Sequence, residues 1–179
     1  LFSAVKAALT GAVGERILRR LNVGYWGALS ALGLLASAPH FWALSLIAEV
    51  YTLHTAMMAA IILALLRWSE EPTSRRLAAV AFLLGVSAGN HAATFLLVPG
   101  VVWYLLTSAP RRVLAPRALL SASAALLGGL SLYLYLPFRY AHAPDFNYAG
   151  VYDASGTFVP IDLRTLKGLS CLVLGKAFR

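Results

Sequence analysis

The stretch GVSAGNHAAT, residues 85–94, decides the fold prediction for this chain. Apolar segments flank it on both sides, and the basic pairs Arg75-Arg76 and Arg111-Arg112 bracket the whole unit. The distance between those pairs is too long for one membrane span of about 20 residues and short for two. The polar residues Asn90 and His91 at its midpoint therefore predict the tip of a helical hairpin.

The composition is that of an integral membrane protein. Of the 179 residues, 60% are hydrophobic and only 12% are charged, and the mean hydropathy is +0.74. Soluble domains are nearer to half apolar and a quarter charged. We therefore predict an all-α fold, a polytopic transmembrane helix bundle with about five to six membrane segments.

The net charge of +8 would indicate a nucleic-acid partner in a soluble protein, but here the charge belongs to alternate loops. Because cytoplasmic loops are rich in Lys and Arg, we place these loops inside and expect no nucleic acid. Asn90-His91 and residues 137–161 then lie on the outer face. The single Cys171 excludes an internal disulfide and a cysteine metal cluster. The loop arginines are Arg16, Arg19, Arg20, Arg67, Arg75, Arg76, Arg111, Arg112 and Arg117.

Two regions are predicted. Residues 1–139 form the helical bundle, incomplete at its N-terminus, and residues 140–179 form an outer loop with an amphipathic segment, incomplete at its C-terminus. The chain is expected to be a fragment of a larger protein. Within the bundle, a short helix over residues 27–38 ends at Pro39, and residues 43–66 form the longest apolar helix. Residues 118–136 form a further span.

Glu49 is the strongest single candidate for function. On a continuous helix it lies about 10 Å below the interface marked by Trp42. An acid at that depth faces a polar cavity or a partner, so it belongs to a substrate or proton pathway, or it is buried for packing. His54 lies about 140° round the helix from Glu49, which argues against a metal pair. His54 is then a hydrogen-bonded interior residue or a ligand.

Further polar residues have both a functional and a structural interpretation. Asn90 and His91 either donate hydrogen bonds to a phosphate or sugar, or form a helix cap with an interfacial histidine. Arg139 either grips a lipid phosphate bidentately or anchors its helix to headgroups. Asp145 and Asp153 either act as bases or bind a divalent ion, or they make turns.

Several segments occur together in a familiar order. They are AEVYTLH at 48–54, GVSAGNHAAT at 85–94 and YLYLPFR at 133–139, followed by Asn147-Tyr148 and the Thr165-Leu166-x-Gly168 segment. The set resembles a large bacterial family of multi-spanning membrane proteins of unassigned function. That family is related to the animal transmembrane O-mannosyltransferase that acts on plexin-type receptors, and its fold is similar to that of GT-C glycosyltransferases. Tyr148 stands where the family more often has Trp, and residues 151–161 look like an insertion.

The resemblance implies a glycosyltransferase of the bacterial inner membrane. Its donor is a polyprenyl-phosphate-linked sugar, and its acceptor is a protein, at Ser or Thr, or a glycan on the outer face. The catalytic carboxylate is expected outside this fragment. A divalent metal ion is the one cofactor left open, and no metal ligand is predicted. Matching positions place Glu49, Asn90, His91 and Arg139 at the substrate and donor site, with His54, Asp145 and Asn147 as secondary candidates.

Two other classes remain open. In a proton-coupled transporter, Glu49 and His54 would lie in a polar path across the membrane. Against this, the polar groups gather toward one side of the bilayer and no inverted repeat is visible. The third class is a non-catalytic membrane assembly subunit.

Overall fold

The protein is mostly helical in the computed structural model, which describes residues 2–47, 50–142 and 149–173. Chain contacts divide it into two compact units, residues 1–130 and 131–179. The helices of the first unit are α1 Phe2–Arg20, α2 Tyr25–Ser37, α3 Pro39–Leu46, α4 Tyr51–Glu70, α5 Ser74–Asn90, α6 Val98–Ser108, α7 Pro110–Val113 and α8 Pro116–Leu130, with a 3₁₀-helix at Ala92–Leu96. The second unit contains a 3₁₀-helix at Ser131–Leu134, α9 Tyr135–Ala141, strands β1 Gly150–Tyr152 and β2 Phe158–Pro160, and α10 Leu166–Val173.

Few of these helices are long and apolar enough to cross a membrane. Among the described residues, Tyr51–Glu70 and the helical stretch Pro116–Ala141 qualify, and α2 with α3 would make a third span bent by 60°. The predicted five to six segments are therefore not confirmed. The main reason is length, because α5 has 17 residues and the stretch Ala92–Ser108 is also short, whereas a span needs about 20.

The chain reverses direction at Asn90 and His91, as the sequence predicted. Thr73 caps the start of α5, where its hydroxyl accepts a hydrogen bond from the backbone N–H of Arg76 at 3.3 Å. After the reversal, α6 returns so that its Leu105 joins Leu77 of α5 in one buried core cluster. The start of α5 and the end of α6 therefore lie beside the same core.

That core lies toward the C-terminal end of α4. Ile61, Leu65 and Trp68 of α4 pack there with residues of α5, α6 and α8. The Tyr104 hydroxyl donates a hydrogen bond of 2.9 Å to the Ser69 hydroxyl. At the same end, the C-terminus of α1 is held by an ion pair between Arg20 and Glu70. These contacts gather the basic loops at one end of the first unit.

The crossing of α5 and α8 depends on two buried glycines. A Cβ at Gly85 would lie 2.5 Å from the carbonyl oxygen of Leu126, and one at Gly129 would lie 2.5 Å from that of Phe82. Both distances are far below any real contact, so the two backbones approach closely only because side chains are missing. Small residues allow the same close approach in other membrane helix pairs.

The prediction of one helix over residues 43–66 was wrong. α3 ends at Leu46, Ile47 is extended (φ −95°, ψ 150°), and α4 begins at Tyr51. β-branched residues such as Ile47 favour the extended conformation, although no proline or glycine marks the break. The depth and angle calculated for Glu49 therefore no longer apply. Pro39 ends α2 as predicted, but it also starts α3, where a proline is well tolerated at the first position.

The second unit adds a short β-hairpin to the mostly helical fold. β1 and β2 form an antiparallel hairpin in which Val151 pairs with Val159. The connecting turn is held by Asp153, whose Oδ1 accepts hydrogen bonds from the backbone N–H groups of Ser155 (2.8 Å) and Thr157 (2.9 Å). Gly156 has a φ of +78°, which only glycine adopts without strain. Asp153 therefore makes a turn, which is the structural one of its two interpretations.

The Thr165-Leu166-x-Gly168 segment has a structural explanation as well. The Thr165 hydroxyl accepts a hydrogen bond of 3.0 Å from the backbone N–H of Gly168, so Thr165 caps the start of α10. A Cβ at Gly168 would lie 2.0 Å from the carbonyl oxygen of Asp162. The motif residues therefore fix how the chain enters α10.

Replacing Gly85 by Ala should destabilise the protein, because the added methyl group collides with the α8 backbone. We expect a loss of about 1–3 kcal/mol, the usual cost of overpacking. The measurement is the thermal unfolding midpoint of the purified protein in detergent. The matched control is Gly128→Ala, since a Cβ at Gly128 meets nothing within 4 Å. Equal midpoints for the two variants would contradict the glycine crossing.

The stability of the turn between β1 and β2 should depend on pH. Hydrogen bonds from the Ser155 side chain, and then from the Thr157 backbone, lower the pKa of Asp153 from its ordinary value of 3.8. The carboxylate therefore stabilises the turn fully above 3.8, and this stability is lost as the pH falls through the lowered folded pKa. The measurement is the NMR amide shifts of ¹⁵N-labelled Ser155 and Thr157 during an acid titration. Asp153→Asn should remove the transition, and an unchanged transition in that variant would refute the assignment.

Candidate functional site

Three ring side chains meet where α4 begins. Tyr51 and His54 lie three residues apart on α4 and so share a face. The ring of His91 lies against both, with centroid distances of 4.9 Å to His54 and 5.4 Å to Tyr51. We call these three residues, together with Asn90, which directly precedes His91, the ring cluster. It unites two histidines that the sequence analysis had considered separately.

His91 is positioned by the chain reversal itself. It follows the last residue of α5 in an extended conformation, and its Nδ1 accepts a hydrogen bond of 3.1 Å from the backbone N–H of Ala93. The predicted cap is therefore present. Because Nδ1 is an acceptor, the neutral ring carries its proton on Nε2, which is left as a donor. The capping role and a ligand-binding role are thus compatible in one side chain.

A buried hydrogen bond supports the reversal from inside the protein. The hydroxyl groups of Ser87 and Thr94 lie 2.8 Å apart, and the two residues are 0% and 1% exposed. Sequence reasoning missed this pair. The available signal was two small hydroxyl residues placed on either side of the polar tip.

Two buried polar atoms of α4 lack a hydrogen-bond partner within the described residues. They are Nδ1 of His54 and Oγ1 of Thr52. Thr52 and His54 lie about 160° apart around the helix, so their side chains cannot bind the same ligand atom. An unpaired buried polar atom costs about 1–3 kcal/mol. Among the described residues the Nδ1 of His54 thus has no partner, and it is a position where a bound molecule can supply the bond.

Asn90 connects the cluster to the chain just before α4. Its side-chain amide nitrogen donates a long hydrogen bond of 3.4 Å to the carbonyl oxygen of Val50. Asn90 thus holds the end of α5 beside the start of α4, which is the contact that brings His91 to His54.

For the other sequence candidates the structure adds little. Glu49, Asp145 and Asn147 lie outside the described residues and remain predictions. Arg139 lies in the last turn of α9 in the second unit, where it is exposed. Among the residues that are described, no three His, Cys, Asp or Glu side chains could hold a metal together, and two imidazoles fall short of the three protein ligands of a catalytic zinc.

Comparison with known proteins identifies the family. No curated protein matches the chain, and no solved structure matches it. A family model described as protein O-mannosyl-transferase TMEM260 N-terminal domain matches residues 2–114, which is more than half of the chain and includes the whole ring cluster. This chain therefore belongs to the family of the protein O-mannosyl-transferase TMEM260 N-terminal domain.

Proposed function

We propose that this chain is part of a membrane glycosyltransferase with a polyprenyl-phosphate-linked sugar as donor. The sugar is mannose, the one that the family description names, and the acceptor is a hydroxyl group, such as that of a protein Ser or Thr. One observation carries the proposal: the ring cluster lies inside the region that the family matches, and it contains the Nδ1 of His54, which has no partner among the described residues.

The reaction needs a base, a phosphate site and a sugar site. We assign the base to a carboxylate outside this chain, which takes the proton of the acceptor hydroxyl. The acceptor oxygen then forms a bond to the anomeric carbon. The bond from that carbon to the phosphate oxygen breaks, and the lipid phosphate leaves with the electron pair. Hydrogen-bond donors around the phosphate stabilise this leaving charge.

The cluster residues have separate roles in this scheme. The Nε2–H of His91 donates to a phosphate oxygen, while its Nδ1 keeps the reversal in place. The Nδ1 of His54 gains its missing partner from the donor. For Arg139, the predicted contact to a lipid phosphate stays a separate proposal, and Glu49 binds the sugar or orients the donors.

The proposed orientation follows from the charges. α4 is long and apolar enough to cross a membrane. The ring cluster is at the beginning of α4, and Arg67 is in its last turn. Because basic loops stay in the cytoplasm, the ring cluster faces outward from the inner membrane.

Transport is the less favoured function. A proton-coupled transporter needs polar groups along the membrane-crossing path. From Ala56 to Leu66 every side chain of α4 is apolar, so α4 supplies polar groups at its ends alone. Glycosyl transfer at one membrane surface fits this distribution of polar groups along α4 better.

Changing His91 tests the proposal in the full-length protein. His91→Asn keeps a side chain that can cap the 3₁₀-helix, but it removes the Nε2–H donor. We expect transfer from radiolabelled polyprenyl-phosphate mannose to fall by about 100-fold, as for other lost transition-state donors. The unfolding midpoint should stay unchanged.

Two companion variants complete the test. His91→Ala should lower both transfer and stability, because it removes the cap as well. His40→Ala, at an exposed histidine of α3, should change neither. Full transfer by His91→Asn would limit His91 to a structural role, and pH-dependent uptake without transfer would favour the transporter.

A further inference from the structure

A second site candidate lies between α1, α4 and α5. These helices enclose an open cleft of about 500 Å³. Its wall is apolar along most of its length and ends in three arginines. The lining residues are Val13, Arg20, Ala60, Leu63, Ala64, Arg67, Arg76, Ala79 and Leu83.

Two of the three arginines are held at the cleft by neighbouring groups. Arg20 forms an ion pair with Glu70, and its side chain is 32% exposed. Arg76, at 37% exposed, pairs with Glu71 at 2.5 Å and donates to the carbonyl oxygen of Arg67. Within the described part of the chain, the guanidinium of Arg67 pairs with no carboxylate. Three arginine side chains therefore lie near two carboxylates, those of Glu70 and Glu71, and one positive charge is not balanced.

The cleft has the depth and orientation of a lipid site. Arg67 is in the last turn of α4, and the rise from Tyr51 to Arg67 is about 24 Å along the helix axis. If α4 crosses a bilayer with a hydrocarbon core of about 30 Å, Arg67 lies near headgroup level. The apolar part of the cleft, with Ala64 and Ala79, then extends toward the hydrocarbon core.

We propose that this cleft binds an anionic phospholipid of the membrane. The phosphodiester has a single negative charge, which matches the unbalanced charge at Arg67, and Arg20 and Arg76 lie beside it. An acyl chain follows the apolar wall past Leu63 and Leu83. Basic pockets between membrane helices bind anionic headgroups in this way. The site is at the opposite end of α4 from the ring cluster, so the inference does not depend on glycosyl transfer.

The test uses the full-length protein in detergent with an equimolar mixture of phosphatidylglycerol and phosphatidylcholine. Native mass spectrometry then measures which lipid stays bound. The wild type should retain phosphatidylglycerol preferentially, and Arg67→Gln should reduce that retention about fivefold, the usual effect of one basic residue at a membrane surface. Arg75→Gln is the matched control, because Arg75 is exposed and does not line the cleft.

A second variant keeps the test independent of folding. Ala79→Phe fills the apolar part of the cleft without changing a charge, so it should also reduce phosphatidylglycerol retention. The unfolding midpoint of each variant confirms that it folds. The proposal is overturned by equal retention of the two lipids, by equal losses in Arg67→Gln and Arg75→Gln, or by wild-type retention in Ala79→Phe. Displacement of the lipid by inorganic phosphate, or by polyprenyl phosphate at equal concentration, would also overturn it.

Discussion

The buried hydrogen bond between Ser87 and Thr94 joins the two sides of the chain reversal on which the first unit depends. In an apolar surrounding each hydroxyl would cost about 1–3 kcal/mol if it were unpaired. Pairing them with each other fixes where α5 ends and where the returning chain starts. That position places His91 against His54 on one side and returns Leu105 to the core on the other.

α4 separates two chemically different ends of the first unit. Its first turn contributes Tyr51 and His54 to the ring cluster, and the Nδ1 of His54 has no hydrogen-bond partner among the described residues. Its last turn carries Arg67 and meets the basic loops through Glu70 and Ser69. The apolar stretch between these ends fits a membrane interior. The same helix therefore positions both the proposed donor site and the proposed phospholipid site, about 24 Å apart.

Much of the hairpin could be predicted from the sequence, and much of the site could not. Asn90 and His91 between apolar arms predicted the reversal because polar residues avoid the middle of a span. The break after Leu46 was missed because Ile47 is apolar and no helix-breaking residue stands there. The β-hairpin was missed because its strands have three residues each, too few to show alternation.

The contact between His54 and His91 was also beyond sequence reasoning, since it arises from tertiary packing of α4 and α5. Family resemblance, in contrast, indicated the reaction class, which no local sequence pattern contains.

The central claim is that the ring cluster receives the donor phosphate. The most direct measurement is photo-crosslinking of the full-length protein with a polyprenyl-phosphate mannose that carries a diazirine beside the phosphate, followed by peptide mapping. We predict labels within residues 50–54 and 87–94. Labels confined to the cleft at Arg67 and Arg76, or to segments away from both sites, would contradict the account.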